Sequence, residues 1–124
     1  MPRYRTIQDA VAQFQKAFQR PTDLDFSLIK QDSKVAEVFD LRQKLIYEEC
    51  VELIQAMGEG KETEIKKEAA DLLYVLAGLF VDFGWDMQVI FNRVHQSNMS
   101  KLDENGKPIF RKDGKVLKSN RYKE

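Results

Sequence analysis

Cysteine and histidine occur once each in this chain, as Cys50 and His95. A lone cysteine closes no intramolecular disulfide, and Cys50, set between Glu49 and Val51 in a helical pattern, reads as a packing residue. A di-iron helical bundle would need Glu-x-x-His pairs, but the residue at that offset before His95 is Asn92, so that reading falls away. His95 reads as a surface or helix-end residue. Long hydrophobic runs are also missing. The nearest, LLYVLAGLFV at 72–81, is well short of the roughly 18 residues a membrane helix requires. The opening MPRYRTIQ lacks the apolar segment of a signal peptide, so a cytoplasmic protein without a membrane partner is expected. Net charge is zero, with 20 Lys and Arg against 20 Asp and Glu, which is not the basic profile of a nucleic-acid binder. Neither a G-x-x-x-x-G-K loop nor a G-x-S-x-G elbow is found.

What is present is 43% apolar and 32% charged residues over 124 positions, the composition of one helix-rich globular domain spanning 1–124. Thr6 and Asp9 resemble a capping box, followed by Ile7, Val11, Phe14 and Phe18 at helical spacing until Arg20-Pro21. After a loop with a short helical turn, a second helix is expected from about Val35 to Met57. Gly58 and Gly60 bracket a tight connection, and Thr63 or a neighbour caps a third helix. That helix is apolar on most sides from Ala69 to Phe83 and is expected to be central and buried. Gly84 ends it, and Asp86 caps a fourth helix with Met87, Ile90, Phe91 and Val94 on its apolar face up to about Asn98. Trp85 and the phenylalanines are expected in the core, with Phe14, Phe18 or Phe26 as candidates to line a base pocket. Asn105-Gly106 and Asp113-Gly114 flank PIFRK, which predicts a small hairpin or extended arm. The fold class is therefore all-α: four helices with a central antiparallel hairpin over about 6–98, then a C-terminal arm over 101–124. That arm is basic, with 8 Lys and Arg against 4 Asp and Glu, whereas residues 1–100 hold 12 against 16. Such a distribution suits a compact anion such as a triphosphate held with divalent metal.

The stretch EECVELIQAMGEGKETEIKKEAADLL sets acids where a core is expected. At about 100° per residue, Leu41, Leu45, Glu49 and Glu52 share one stripe, and Glu68, Leu72, Val75 and Leu79 share another with Asp71 beside them. Folded antiparallel about residue 60, position 52 comes opposite 68 and position 49 opposite 71. Four carboxylates converge roughly 12–16 Å from the turn at 1.5 Å per residue. Left alone they repel, and burial raises their pKa values. Surface lysines are one compensation. A divalent cation is the direct one, and an all-oxygen set favours Mg²⁺ or Mn²⁺ over zinc. Acids in a first helical turn are also favoured by the macrodipole, which accounts for Glu62 and Glu64 but not for the matched set. Glu48 lies at the edge of that face as a further ligand, a water-orienting base or a solvated side chain.

The run E-x-x-E (Glu49, Glu52), fifteen intervening residues, then E-x-x-D (Glu68, Asp71) resembles the signature of all-α nucleoside triphosphate pyrophosphohydrolases of the MazG type. The doubled EE, EAADLLYVL and HQSNMSKLDENGKPIFRKDGKVLK look like the phosphoribosyl-ATP pyrophosphohydrolase-like branch, so the resemblance spans about residues 36–118. It implies a MazG-like bundle that hydrolyses a nucleoside triphosphate between the α and β phosphates, with Mg²⁺ or Mn²⁺ on Glu49, Glu52, Glu68 and Asp71. Glu48 or Glu49 would orient or deprotonate the water. The resemblance also assigns substrate contacts to Asn98, Lys101, Arg111, Lys115 and Lys118. A purine such as the guanine of dGTP is the implied base. Phosphoribosyl-ATP pyrophosphohydrolysis in histidine synthesis is the other enzyme, and a non-enzymatic helical interaction module is the alternative of another class. A homodimer or homotetramer is expected, because so small a helical unit leaves apolar area uncovered. One departure stands out: Ser119-Asn120 follows Val116-Leu117-Lys118 where the family often has Gly-Pro.

Overall fold

The structure, a computed structural model, describes residues 5–124. Residues 1–4, which open the MPRYRTIQ segment, lie outside the described residues. Four helices carry the chain: α1 (Ile7–Ala17), α2 (Ser33–Glu59), α3 (Glu62–Phe83) and α4 (Met87–Met99). A short 3₁₀ turn, Phe26–Leu28, precedes α2, and a two-stranded antiparallel hairpin of β1 (Ile109–Phe110) and β2 (Val116–Leu117) follows α4. The fold is thus all-α with a small C-terminal hairpin. The chain divides into two compact units, one ending at Trp85 and one running from Asp86 to Glu124.

In the first unit α2 and α3 form a helical hairpin, and α1 packs on α3. The hairpin turns at Gly60, whose φ of 72° is in the left-handed region that only glycine adopts without strain. Gly58 does not bracket the turn but lies within α2, which runs on to Glu59. Thr63 is not a cap either: the capping position is Lys61, without a side-chain bond, and Thr63 is inside α3. The other helix starts follow side-chain chemistry. Thr6 Oγ1 accepts the Asp9 N–H at 3.1 Å, and Asp32 Oδ1 accepts the Lys34 N–H at 2.9 Å, which starts α2 two residues before the expected Val35.

Core packing is concentrated where α1 and the linker 18–32 cover the far end of the hairpin. Val11, Val35, Ala77, Val81 and Phe83 are buried there. Phe26, Phe39, Phe83 and Trp85 stack edge-on and face-on with centroids 5.2–6.2 Å apart. Only Phe83 of the eight phenylalanines is fully buried. Phe14, Phe18 and Phe26 retain exposed edges. The expectation of a central, buried α3 holds only in part: its fully enclosed residues lie in its last two turns, while Leu73 and Tyr74 are exposed. The interior also holds an ion pair. Arg42 is bidentate to Asp82, with Nε–Oδ2 at 2.7 Å and Nη2–Oδ1 at 3.0 Å. Gln15 of α1 closes the set, donating to Asp82 Oδ1 at 2.9 Å and accepting from Arg42 Nη2 at 3.2 Å. Gly78 makes the room, since a Cβ there would fall 2.5 Å from Arg42 Cζ.

In the second unit Asp86 Oδ1 accepts the Val89 N–H at 3.1 Å and starts α4 as expected. No residue of α4 is buried, and Phe91 and Val94, expected on its apolar face, are exposed. The hairpin pairs Ile109 with Leu117 and Phe110 with Val116 around a turn at Gly114.

Candidate active site

Two turns along α2 from Arg42, on the same side of the helix, stands Glu49. Three turns back along α3 from Asp82 stands Asp71. The antiparallel hairpin brings these two positions together with Glu68: one carboxylate oxygen from each of Glu49, Glu68 and Asp71 lies within 4.8 Å of the others. All three residues are half-buried. Glu52 is not one of the three. It sits about 60° around α2 from Glu49 and is more exposed, but its charge acts on the Glu49 carboxyl. Glu48 is exposed and also outside the trio.

The electrostatics are unfinished. Burial raises the pKa of Glu49, with the charge of Glu52, the charge of Asp71 and the charge of Glu68 adding to it in that order. Glu49 Oε2 and Glu68 Oε2 are buried oxygens with no hydrogen-bond partner. Buried acceptors of this kind are rare and costly, of order 1–3 kcal/mol each, unless something donates to or coordinates them. Lys67 supplies partial compensation from the surface, with Nζ 2.8 Å from Asp71 Oδ2 and 3.5 Å from Glu68 Oε1. It does not reach Glu49. A hard cation fits what remains, because every donor is a carboxylate oxygen and the group holds no cysteine or histidine.

A cavity of about 250 Å³ adjoins this level, lined by Val11, Phe14, Leu41, Leu45, Tyr74 and Val75, with Gln15 and Arg42 at its polar side. Leu45 is one turn before Glu49, and Val75 is one turn after Asp71, so the cavity begins about 6 Å along the helices from the carboxylates. Phe14 and Tyr74 meet edge to face across it at 5.6 Å.

The five residues expected to contact substrate lie in the second unit. Asn98 is in the last turn of α4 and exposed; Lys101 follows it, half-buried. Arg111 is paired with Asp113, donating from Nε at 2.8 Å, and Lys115 is exposed. Lys118 lies over the ring of Tyr122. Sequence reasoning passed over Lys67, the Arg42–Asp82–Gln15 set and Tyr122. An aspartate inside the apolar run LFVDFGW was the available signal for the second of these.

The phosphoribosyl-ATP pyrophosphohydrolase family matches this chain over residues 11–98, from within α1 almost to the end of α4. The chain belongs to that family. Its members are pyrophosphohydrolases by description, and the resemblance to the MazG-type branch read from Glu49, Glu52, Glu68 and Asp71 agrees with it. The chain is also 31% identical over 114 residues to an uncharacterized protein, L479, of Acanthamoeba polyphaga mimivirus. That alignment takes in 92% of this chain and 43% of the viral protein, so the chain spans less than half the length of that relative. Among the described residues, no single helix is long and apolar enough to cross a membrane.

Proposed function

We propose that the protein is a metal-dependent pyrophosphohydrolase that splits a nucleoside triphosphate between its α and β phosphates, giving the monophosphate and pyrophosphate. The observation that carries this reading is the pair of buried, unpartnered oxygens on Glu49 and Glu68 beside Asp71, in a chain of a pyrophosphohydrolase family. Glu49, Glu68 and Asp71, with Glu52 alongside, would hold Mg²⁺ or Mn²⁺, which on binding neutralises phosphate oxygens and makes a water more acidic. Glu49 or the exposed Glu48 orients that water and takes its proton. As the water oxygen bonds to phosphorus, the bridging α–β bond breaks and pyrophosphate leaves with its electron pair. Asn98, Lys101, Arg111, Lys115 and Lys118 are the proposed phosphate contacts.

The base is assigned to the cavity bordered by Phe14 and Tyr74, whose apolar walls suit a planar ring. A purine triphosphate such as dGTP is the first reading. Phosphoribosyl-ATP is the second, favoured by the family description, and its hydrolysis breaks the same kind of bond. Incubation of the purified protein with each nucleoside triphosphate, dGTP and phosphoribosyl-ATP in Mg²⁺ or Mn²⁺ tests this directly. Monophosphate with pyrophosphate supports the reading; diphosphate with phosphate, or no turnover with any of them, overturns it in favour of a helical interaction module. We further assign the protein to the cytoplasm as a homodimer or homotetramer. Tyr47, Ile54 and Met57 on the outer side of α2 are 56–70% exposed, an apolar stripe that a second copy would cover. Light scattering after gel filtration checks that assembly.

A further inference from the structure

The last seven residues, Lys118–Glu124, fall outside the family match, and Ser119-Asn120 departs from the pattern of the resemblance, yet they are tied down by specific bonds. Ser119 Oγ donates to the Leu102 carbonyl at 2.7 Å and accepts the Arg121 N–H at 3.1 Å. The Tyr122 N–H then returns to the Ser119 carbonyl at 3.2 Å, making one turn of chain. Ser100 Oγ accepts the Lys123 N–H at 2.8 Å, and Ser97 Oγ donates to the Tyr122 hydroxyl at 3.3 Å. The turn carries the Tyr122 ring within reach of two cations. Lys118 Nζ stands 4.4 Å from the ring centroid and Lys101 Nζ 6.0 Å. Both are within the roughly 6 Å reach of a cation–π attraction.

Among the described residues neither ammonium group has a carboxylate within ion-pair distance; of the acids that line a surface pocket with Lys118, Asp103 and Glu104, the first is turned to the Asn105 and Lys107 N–H groups. A ring quadrupole offsets only a fraction of a unit charge, so the two lysines remain a doubly positive site whose cations are gathered rather than neutralised. A polyphosphate has anionic oxygens on successive phosphorus atoms and can meet both at once.

We infer that Tyr122 is a positioning residue: its ring assembles Lys101 and Lys118 into a two-point clamp for the polyphosphate of a substrate or for product pyrophosphate. The clamp rests on the proposed function for its role in turnover, but its binding is measurable without turnover. Inorganic pyrophosphate is titrated calorimetrically into the whole protein in the presence of a metal chelator. Tyr122→Phe keeps the ring and should bind within about two-fold of the native protein. Tyr122→Leu keeps bulk without a π face and should bind about five-fold more weakly, with a shallower dependence on salt. In turnover, Tyr122→Leu should raise KM by about the same factor and leave kcat within about two-fold. Absence of pyrophosphate binding by the native protein, unchanged affinity in Tyr122→Leu, or a Tyr122→Phe variant as weak as Tyr122→Leu each overturns the clamp. Should limited proteolysis show a detached tail in Tyr122→Leu, Lys118→Met, which leaves the ring in place, must show the same loss; native affinity there overturns the clamp too. A native protein that hydrolyses nothing but binds pyrophosphate through the ring refutes the proposed function and leaves the clamp standing.

Discussion

The hairpin of α2 and α3 carries charge into its interior at two levels, and they are built in opposite ways. At the level of Arg42 and Asp82 each charge meets its opposite in a bidentate pair, Gln15 bonds both partners, and the Val75 carbonyl accepts from Arg42 Nη1. At the level of Glu49, Glu68 and Asp71 like charges are gathered, one surface lysine neutralises part of them, and two buried oxygens have no partner. The first arrangement is complete without a ligand. The second is held together by the rest of the hairpin, and a cation would complete it. Closed and open polar sites on one pair of helices separate stability from chemistry.

That contrast can be broken from either side. The largest effect is expected at the closed level: Arg42→Met leaves Asp82 buried without its cation and should cost about 3–5 kcal/mol in denaturant unfolding. Replacing Arg42 and Asp82 together by apolar residues should restore much of that loss, and a double variant as unstable as the single one would deny that they act as a pair. At the open level Glu49→Ala or Asp71→Ala should lower kcat/KM by about a hundred-fold or more while the metal-free protein melts no lower than the native one. Full activity in both variants would remove them from the site.

Smaller effects sharpen the comparison. Since the pKa of Glu49 is raised, the folded chain binds more protons than the unfolded one between the ordinary and the raised value. The contribution of Glu49 to metal-free stability should therefore be fully present below the ordinary carboxylate range and be lost as pH rises through the raised value. Melting curves in chelator from about pH 4 to 7 should show this slope in the native protein and a flatter one in Glu49→Gln. Smallest is Lys67→Met. The side chain is largely exposed, so the melting temperature should not change measurably, but Mg²⁺ should bind a few-fold more tightly once nothing competes for Asp71. Weaker Mg²⁺ binding would instead make Lys67 part of the site's support.

Much of this was legible in the chain. Thr6 and Asp86 marked helix starts because their side chains cap locally, and the spacing of Glu49 and Asp71 about residue 60 placed them face to face. Glu52 was expected among the converging acids, yet its rotation around α2 leaves it beside Glu49 and outside the trio. Asp82 within LFVDFGW was visible as an oddity, but its partners Arg42 and Gln15 come from 40 and 67 residues away, and no local rule pairs them. The phenylalanines misled in the other direction: helical spacing shows which side of a helix is apolar, not whether another element arrives to cover it. Phe14 and Phe18 stay exposed for that reason.

By itself the sequence determined the helices, the hairpin and the presence of acids on its inner face, because those depend on periodicity and capping over a few residues. Tertiary structure decided which three carboxylates meet, which two oxygens are stranded, that Lys67 reaches two of the acids and that Tyr122 lies beneath two lysines. Those outcomes depend on side-chain direction and long-range packing, and burial, unlike helix period, is a property of what surrounds a residue rather than of the residue itself.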